Sequence, residues 1–392
     1  MILTSIGFIV SLAWIIVLSR KNLALAIISG ALLLGLFTLS PAILLGRIIY
    51  TLTDISIVLL ALAMGIIPIL GGTMKASGQI DGLVNNLRIS KRYMLAFSAS
   101  LMGLLPMPGG ALLSAPILER AGEGVDDKLK SAINNWFRHL LILIYPLSPA
   151  LIVATKIAEL DIYTALIYLM PGAGLALILG YVFYLRKVEG KIVYTKRVSL
   201  KGLIQPLIVI LSAPIIDFTL KRIFSIGNLA TLIGVSIAFI LSIALSRKKL
   251  NFKGIIIKMK PWNFALIIIG MFIYLHVFQA SDASELIAAL PLPPLILAVV
   301  AGFTLGIATG RVQLPISIII PIYLSTAQAI TPFVFTLIYI GIFFGYIISP
   351  IHPCLVVTCE YFRISIKDLT KKLAVPTLIV FGTVLLISII VA

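Results

Sequence analysis

The sequence predicts an all-α membrane protein: about ten transmembrane helices plus two re-entrant hairpins in a five-plus-five inverted-topology repeat. Three observations predict it. Of the 392 residues, 60% are hydrophobic and only 11% charged, and the mean hydropathy is +1.16; that is more apolar surface than one soluble core could remove from water. Ten apolar runs approach the roughly 17 to 25 residues a helix needs to cross a hydrocarbon core of about 30 Å, and two more are interrupted in the middle. This order of runs and breaks then recurs at an offset of about 200 residues.

The first run, 2–18, has no basic residue ahead of it and no small-residue cleavage pattern, so it reads as a retained span rather than a signal peptide. Runs 22–39 and 54–74 follow. The segment 93–118 is broken by Pro106-Met107-Pro108-Gly109-Gly110, where two prolines and two glycines cannot continue a helix. Each arm is about 12 residues, which at about 1.5 Å per residue reaches half a bilayer, the length of a re-entrant hairpin. Runs 132–158 and 162–185 complete the first half, 1–201. The second half, 202–392, repeats the arrangement with runs 203–220, 226–246 and 263–280, a hairpin at 294–324 that breaks near Thr309-Gly310-Arg311, and runs 331–359 and 374–391.

Charge decides between hairpins and full spans. With both broken segments as hairpins, 25 of the 31 Lys and Arg residues fall in loops on one side, from Arg20 and Lys21 through the groups at 75–92, 120–130, 186–201, 247–260 and 363–372. The positive-inside rule makes that side cytoplasmic and leaves both termini outside. The net charge of +17 is thus an orientation signal for a multi-pass protein of the cell membrane, in contact with lipid, and not a nucleic-acid footprint. Cys354 and Cys359 lack metal-ligand spacing and read as small apolar fillers.

The repeat is visible in short matches. Tyr145-Pro-Leu-Ser148-Pro149 recurs as Tyr346-Ile-Ile-Ser349-Pro350, Ala61-Leu62 as Ala265-Leu266, and Ala76-Ser77 as Ala280-Ser281. With five crossings per unit, the second copy runs with the opposite orientation, so the first hairpin enters from the cytoplasm and the second from outside. Two hairpins, each followed by a helix broken at a Ser-Pro pair, make the chain resemble the ion transporter superfamily of citrate, dicarboxylate, gluconate and arsenite permeases. Leu105-Pro106-Met107-Pro108-Gly109-Gly110-Ala111 and Ser349-Pro350-Ile351-His352 more closely resemble an uncharacterised prokaryotic membrane family of that superfamily. The dicarboxylate branch has Ser-Asn-Thr at its hairpin tips, which this sequence lacks. The resemblance implies elevator-type movement of a hairpin-bearing core, with a homodimer interface as its scaffold.

Irregular backbone at membrane depth is tolerated where it is buried in protein or lines a wet cavity, so the breaks are the candidate site. Helix N-termini suit anions and unwound carbonyls suit Na+. The candidate substrate-binding residues are Pro106, Pro108, Gly109, Gly110, Ser148, Thr309, Gly310, Arg311, Gln313, Ser349 and His352, with Na+ placed near Ser148 and Ser349. Arg311 is the sharpest: a guanidinium deep in the bilayer costs at least about 2.5 to 3.5 kcal/mol, so it needs an anionic partner or water, and its planar fork suits a carboxylate or oxyanion. The alternative is that it pairs with backbone carbonyls and clamps the hairpin. His352, between two prolines, reads equally as a substrate or proton ligand and as a packed neutral ring. Arg138, one to two turns inside the fourth span with His139, is expected to snorkel to the interface, and His276 to pack in the core.

Asp54, Glu159, Asp161, Asp217, Asp282 and Glu285 map near outer span ends and the other carboxylates to cytoplasmic segments. That distribution disfavours a buried-carboxylate cation antiporter and a paired-aspartate membrane protease. Without HExxH, GxSxG or a P-loop, neither common hydrolysis nor ATP-driven pumping has support, and no enzyme is expected. The expectation is a secondary transporter of a small anionic solute, with no cofactor beyond Na+ or H+ as coupling ion. A cation/proton antiporter is the alternative, and a membrane-embedded enzyme the alternative of another class.

Overall fold

The computed structural model describes residues 2–104, 111–192, 198–246, 248–283 and 293–391, and every regular element among them is helical. The first half runs α1 (Ile2–Ser19), α2 (Leu23–Thr38), α3 (Pro41–Thr53), α4 (Ile55–Ala76), α5 (Gln79–Asn86), α6 (Lys91–Gly103), α7 (Ala111–Ala121), α8 (Asp127–Leu143), α9 (Pro149–Ile157) and α10 (Ile162–Phe183). The second runs α11 (Leu200–Phe224), α12 (Asn228–Ala244), α13 (Phe252–Met259), α14 (Pro261–Ala280), α15 (Pro294–Thr309), α16 (Gln313–Ala327), α17 (Pro332–Ile348), α18 (Pro353–Phe362) and α19 (Ile366–Val391).

Local chemistry explains where the helices start. Asn22, Asp54, Asp126, Asp161 and Thr331 each accept a backbone N–H of the first turn, supplying one of the partners that a helix N-terminus lacks. Pro41, Pro149, Pro261, Pro294, Pro332 and Pro353 occupy the first helical position, where a fixed φ helps and a missing N–H costs nothing. The outward faces of α1, α2, α10, α11 and α19 carry exposed Val17, Leu36, Ile167, Ile223 and Ile390. A continuous apolar exterior of this kind is stable against lipid rather than water.

Among the described residues, six stretches are long and apolar enough to cross a membrane: Ile55–Ala76, Ile162–Lys187, Leu200–Phe224, Phe252–Ala280, Pro332–Phe362 and Ile366–Val391. Sequence periodicity points to about ten, and the difference has physical origins. Helices α2 and α12 have 16 and 17 residues, about 24 to 26 Å at 1.5 Å per residue. The run 132–158 is divided between α8 and α9, and α8 begins at Asp127 with charged residues. Helices α3 and α13 were not among the expected spans; at 13 and 8 residues they are too short to cross about 30 Å. They pack on α14 and α4, respectively.

Packing crosses between residues 1–201 and 202–392. Helix α2 lies against α14 and α12 against α4; α9 lies against α16 and α18 against α7. Two helix crossings are especially close. A Cβ on Gly103 in α6 would lie 1.8 Å from the Arg138 carbonyl oxygen in α8, and one on Gly306 in α15 would lie 2.5 Å from that of Ile342 in α17. Backbone touches backbone there, and only glycine fits.

The second break corrects the motif alignment. Helix α8 ends at Leu143 and α9 restarts at Pro149, whereas α17 ends at Ile348 and α18 restarts at Pro353. Ser148 and His352 are therefore the matching residues ahead of the restart prolines, and Ser349-Pro350 lies upstream of the position that Ser148-Pro149 occupies. Three extra residues, Pro350-Ile351-His352, set the Ser349-Pro350 pair three positions ahead of the place that Ser148-Pro149 takes at its helix start.

Asp217, seven residues before the end of α11, is 1% exposed and accepts from Tyr163 Oη of α10 (2.5 Å), Thr231 Oγ1 of α12 (2.6 Å) and Lys221 Nζ (3.0 Å to Oδ1). Its charge is met by a cation and two hydroxyls, which makes a buried carboxylate tolerable and ties three helices together.

Candidate functional site

Helix α8 carries one polar face. Asn134, Asn135, Arg138 and His139 follow i, i+1, i+4, i+5 spacing, which puts all four on one side of a helix. That side meets the second broken helix: Asn134 Nδ2 donates to Thr358 Oγ1 (3.0 Å) and Asn135 Nδ2 to the Ile347 carbonyl (3.2 Å). His139 Nδ1 donates to the Asn135 carbonyl (2.5 Å), leaving Nε2 as acceptor 3.1 Å from the Tyr346 hydroxyl.

Arg138 is 4% exposed and does not snorkel. Because α8 starts at Asp127, Arg138 lies three turns inside the helix, too far for its side chain to reach the end. Its contacts include Ser114 Oγ of α7 (3.4 Å).

The opposite wall is the α15–α16 turn. Gly310 adopts φ 60°, and a Cβ there would lie 3.0 Å from the backbone nitrogen of His352. Glycine thus supplies both the left-handed turn and the clearance that seats this turn against the break. Thr309 Oγ1 donates to the Leu305 carbonyl (2.7 Å), and Ser349 Oγ to the Ile307 carbonyl (2.6 Å). The Thr309 hydroxyl is spent within its own helix and turn, and that of Ser349 ties the break to α15.

Between these walls lies a cavity of about 390 Å³ lined by Lys21, Arg138, His139, Arg311, Gln313, Tyr346, His352 and Cys354, among others. Among the described residues, three cations and no carboxylate line it. Of the residues expected from sequence, Gly310, Arg311, Gln313 and His352 line this cavity, whereas Ser148, Thr309 and Ser349 do not. Pro106, Pro108, Gly109 and Gly110 lie outside the described residues. Sequence reasoning missed Tyr346 and Cys354 and misplaced Arg138; the signal for Arg138 was the polar stripe on α8 within an otherwise apolar run.

A second, larger cavity of about 1070 Å³ lies toward the other end of α14 and α16, lined by Asp54, Lys156, Glu159, Asp161 and His276 among others. His276 is not a partnerless core residue: its Nδ1 is 2.7 Å from Thr51 Oγ1. The larger cavity has mixed charge and no helix break beside it, so the smaller one is the better candidate site. Buried Leu314, Ile316, Ile319 and Ile320 of α16 lie between the parts of that helix that reach the two cavities.

Fold and site together define a multi-pass helical membrane protein in which a broken helix and a helical turn meet at a basic cavity. The chain belongs to the family described as "Protein of unknown function (DUF401)", whose model matches residues 2–391. Its fold is similar to that of the YdaH transporter of Alcanivorax borkumensis, a crystal structure with an unusual topology, at a TM-score of 0.55 and 15% identity over 88% of this chain and 86% of that one. No curated protein gives a significant sequence match.

Proposed function

We propose that the protein is an ion-coupled secondary transporter of a small anionic solute, bound in the cavity between the α15–α16 turn and the second break. One observation carries the reading: guanidiniums from opposite halves, Arg138 and Arg311, line one cavity that has no carboxylate among its described lining residues. A planar anion there would answer both forks, which suits a carboxylate or oxyanion. The transporter fold of the YdaH protein supports the same class.

In this reading the halves 1–201 and 202–392 are inverted repeats with about ten spans, α6–α7 and α15–α16 are re-entrant hairpins, and both termini lie outside. The two cavities would be the alternate approaches to one site, with the apolar stretch of α16 as the barrier between them. Na+ or H+ would be the coupling ion, and a homodimer would supply the scaffold.

The test is a thermal-shift and binding screen of purified protein against small carboxylates and oxyanions, with and without Na+ and across pH, because a ligand of the native state raises apparent stability. An anion-specific shift should appear, and Arg311→Gln should weaken it by on the order of 2 kcal/mol, roughly thirty-fold in Kd. Shifts with Na+ or pH alone and none with any anion would sink the reading in favour of a cation/proton exchanger.

A further inference from the structure

We propose that His139, His352 and Cys354 form a binding site for one soft monovalent d10 cation of the Cu+ and Ag+ class. Their donor atoms, one imidazole nitrogen from each histidine and the Cys354 sulfur, all lie within 4.8 Å of one another. The three are far apart in sequence, and the fold assembles them: His139 comes from α8 of the first half, His352 from the break, and Cys354 from the first turn of α18.

The strongest pointer is His352. It is 1% exposed, and neither Nδ1 nor Nε2 makes a hydrogen bond of full geometry among the described residues. The Ile347 carbonyl, which accepts from Asn135, interacts weakly with one ring nitrogen. A buried imidazole with at least one unanswered nitrogen is costly, and a bound ligand would remove part of that cost. His139 is prepared in the complementary way. Its Nδ1–H is fixed on the Asn135 carbonyl, which directs the Nε2 lone pair toward the cavity, as outer-shell acceptors do for metal-binding histidines. The Tyr346 hydroxyl that now faces Nε2 can turn its hydrogen into the cavity.

Charge and softness select the ion. Two imidazoles and a thiolate are a soft donor set that suits Cu+ and its analogues. Cys354 sits in the first turn of α18 and lines the same cavity as Arg138 and Arg311. On binding, the thiol proton leaves to water and an S–metal bond replaces it, so a monovalent ion and a thiolate add no net charge beside the two guanidiniums. A divalent ion would add one positive charge where no carboxylate among the described lining residues offsets it. With metal–ligand bonds of about 2.0 to 2.3 Å, trigonal donors stand about 3.5 to 4 Å apart. Side-chain rotation of about 1 Å closes the present spacing.

The site is independent of the solute reading because its readout is bound metal. The experiment is titration of the purified full-length protein with Ag+, followed by calorimetry and by metal content after gel filtration. Wild type and Cys359→Ser should bind one Ag+ per chain, and Cys354→Ser and His352→Gln should bind on the order of tenfold more weakly or worse. Silver binding that survives His352→Gln unchanged, follows Cys359, or is absent from wild type would overturn the proposal, as would Zn2+ binding more tightly than Ag+. A second measurement needs no variant: one equivalent of Ag+ should protect Cys354 in the wild-type protein from alkylation, read by peptide mass. Alkylation of Cys354 at an unchanged rate would overturn it equally.

Discussion

Gly103→Ala tests whether the α6–α8 crossing sets the position of Arg138. The added carbon would fall 1.8 Å from the Arg138 carbonyl oxygen, about 1.5 Å short of the roughly 3.3 Å at which carbon and oxygen come into contact. The obstacle is backbone and cannot rotate away, so α6 and α8 must separate. Overpacking typically costs 1–3 kcal/mol, and an immovable obstacle places this case near 3 kcal/mol. At about 2 °C per kcal/mol for a chain of this size, the melting temperature should fall by roughly 6 °C. The assay is thermal unfolding of detergent-purified protein, with Gly382→Ala as control because a Cβ at Gly382 meets nothing within 4 Å. The same variant should bind anions more weakly, because displacing α8 moves Arg138. If Gly103→Ala melts with or above Gly382→Ala, the crossing is not as tight as described and the argument fails.

Two other substitutions probe the supports of the site. Asp217→Asn removes the counter-charge of Lys221 and should cost about 2 kcal/mol in chemical or thermal unfolding. That is less than the roughly 3–5 kcal/mol of a fully buried pair, because Lys221 keeps 21% of its side chain exposed; an unchanged unfolding midpoint would show that the clamp contributes nothing. Ser349→Ala deletes the 2.6 Å bond to the Ile307 carbonyl and should destabilise by about 1 kcal/mol. Its solute affinity should fall only modestly, since Ser349 does not line the cavity, and a loss as large as that of Arg311→Gln would return Ser349 to the binding site.

The breaks were legible because proline and glycine act locally: Pro149 and Pro353 start helices wherever they stand, and Gly310 can turn where other residues cannot. Arg311, Gln313 and His352 could be placed from the same signals. What the sequence hid depends on partners from elsewhere in the chain. Arg138 looked like an interfacial residue because the apolar run was judged to begin at 132, five residues after the true start of α8. Cys354 looked inert because its neighbours, His139 and His352, come together only through the packing of α8 on the second break. Helix α3 is short and amphipathic, so its role in presenting Thr51 to His276 across more than 200 residues had no local trace. The Ser-Pro matches misled by three residues because similar tetrapeptides can sit on different sides of a helix boundary.

The crossed packing of α2 on α14 and α12 on α4 bears on how the protein is made. A ribosome releases the first half well before α12 and α14 exist, so α2 and α4 must wait in the bilayer with their inward faces covered only by lipid or by an insertion chaperone. Neither half can reach its final arrangement alone, and assembly is completed from the later-made helices backward. Lipid tolerates that delay where water would not, because an unpaired apolar helix in a membrane already has a solvent that suits it.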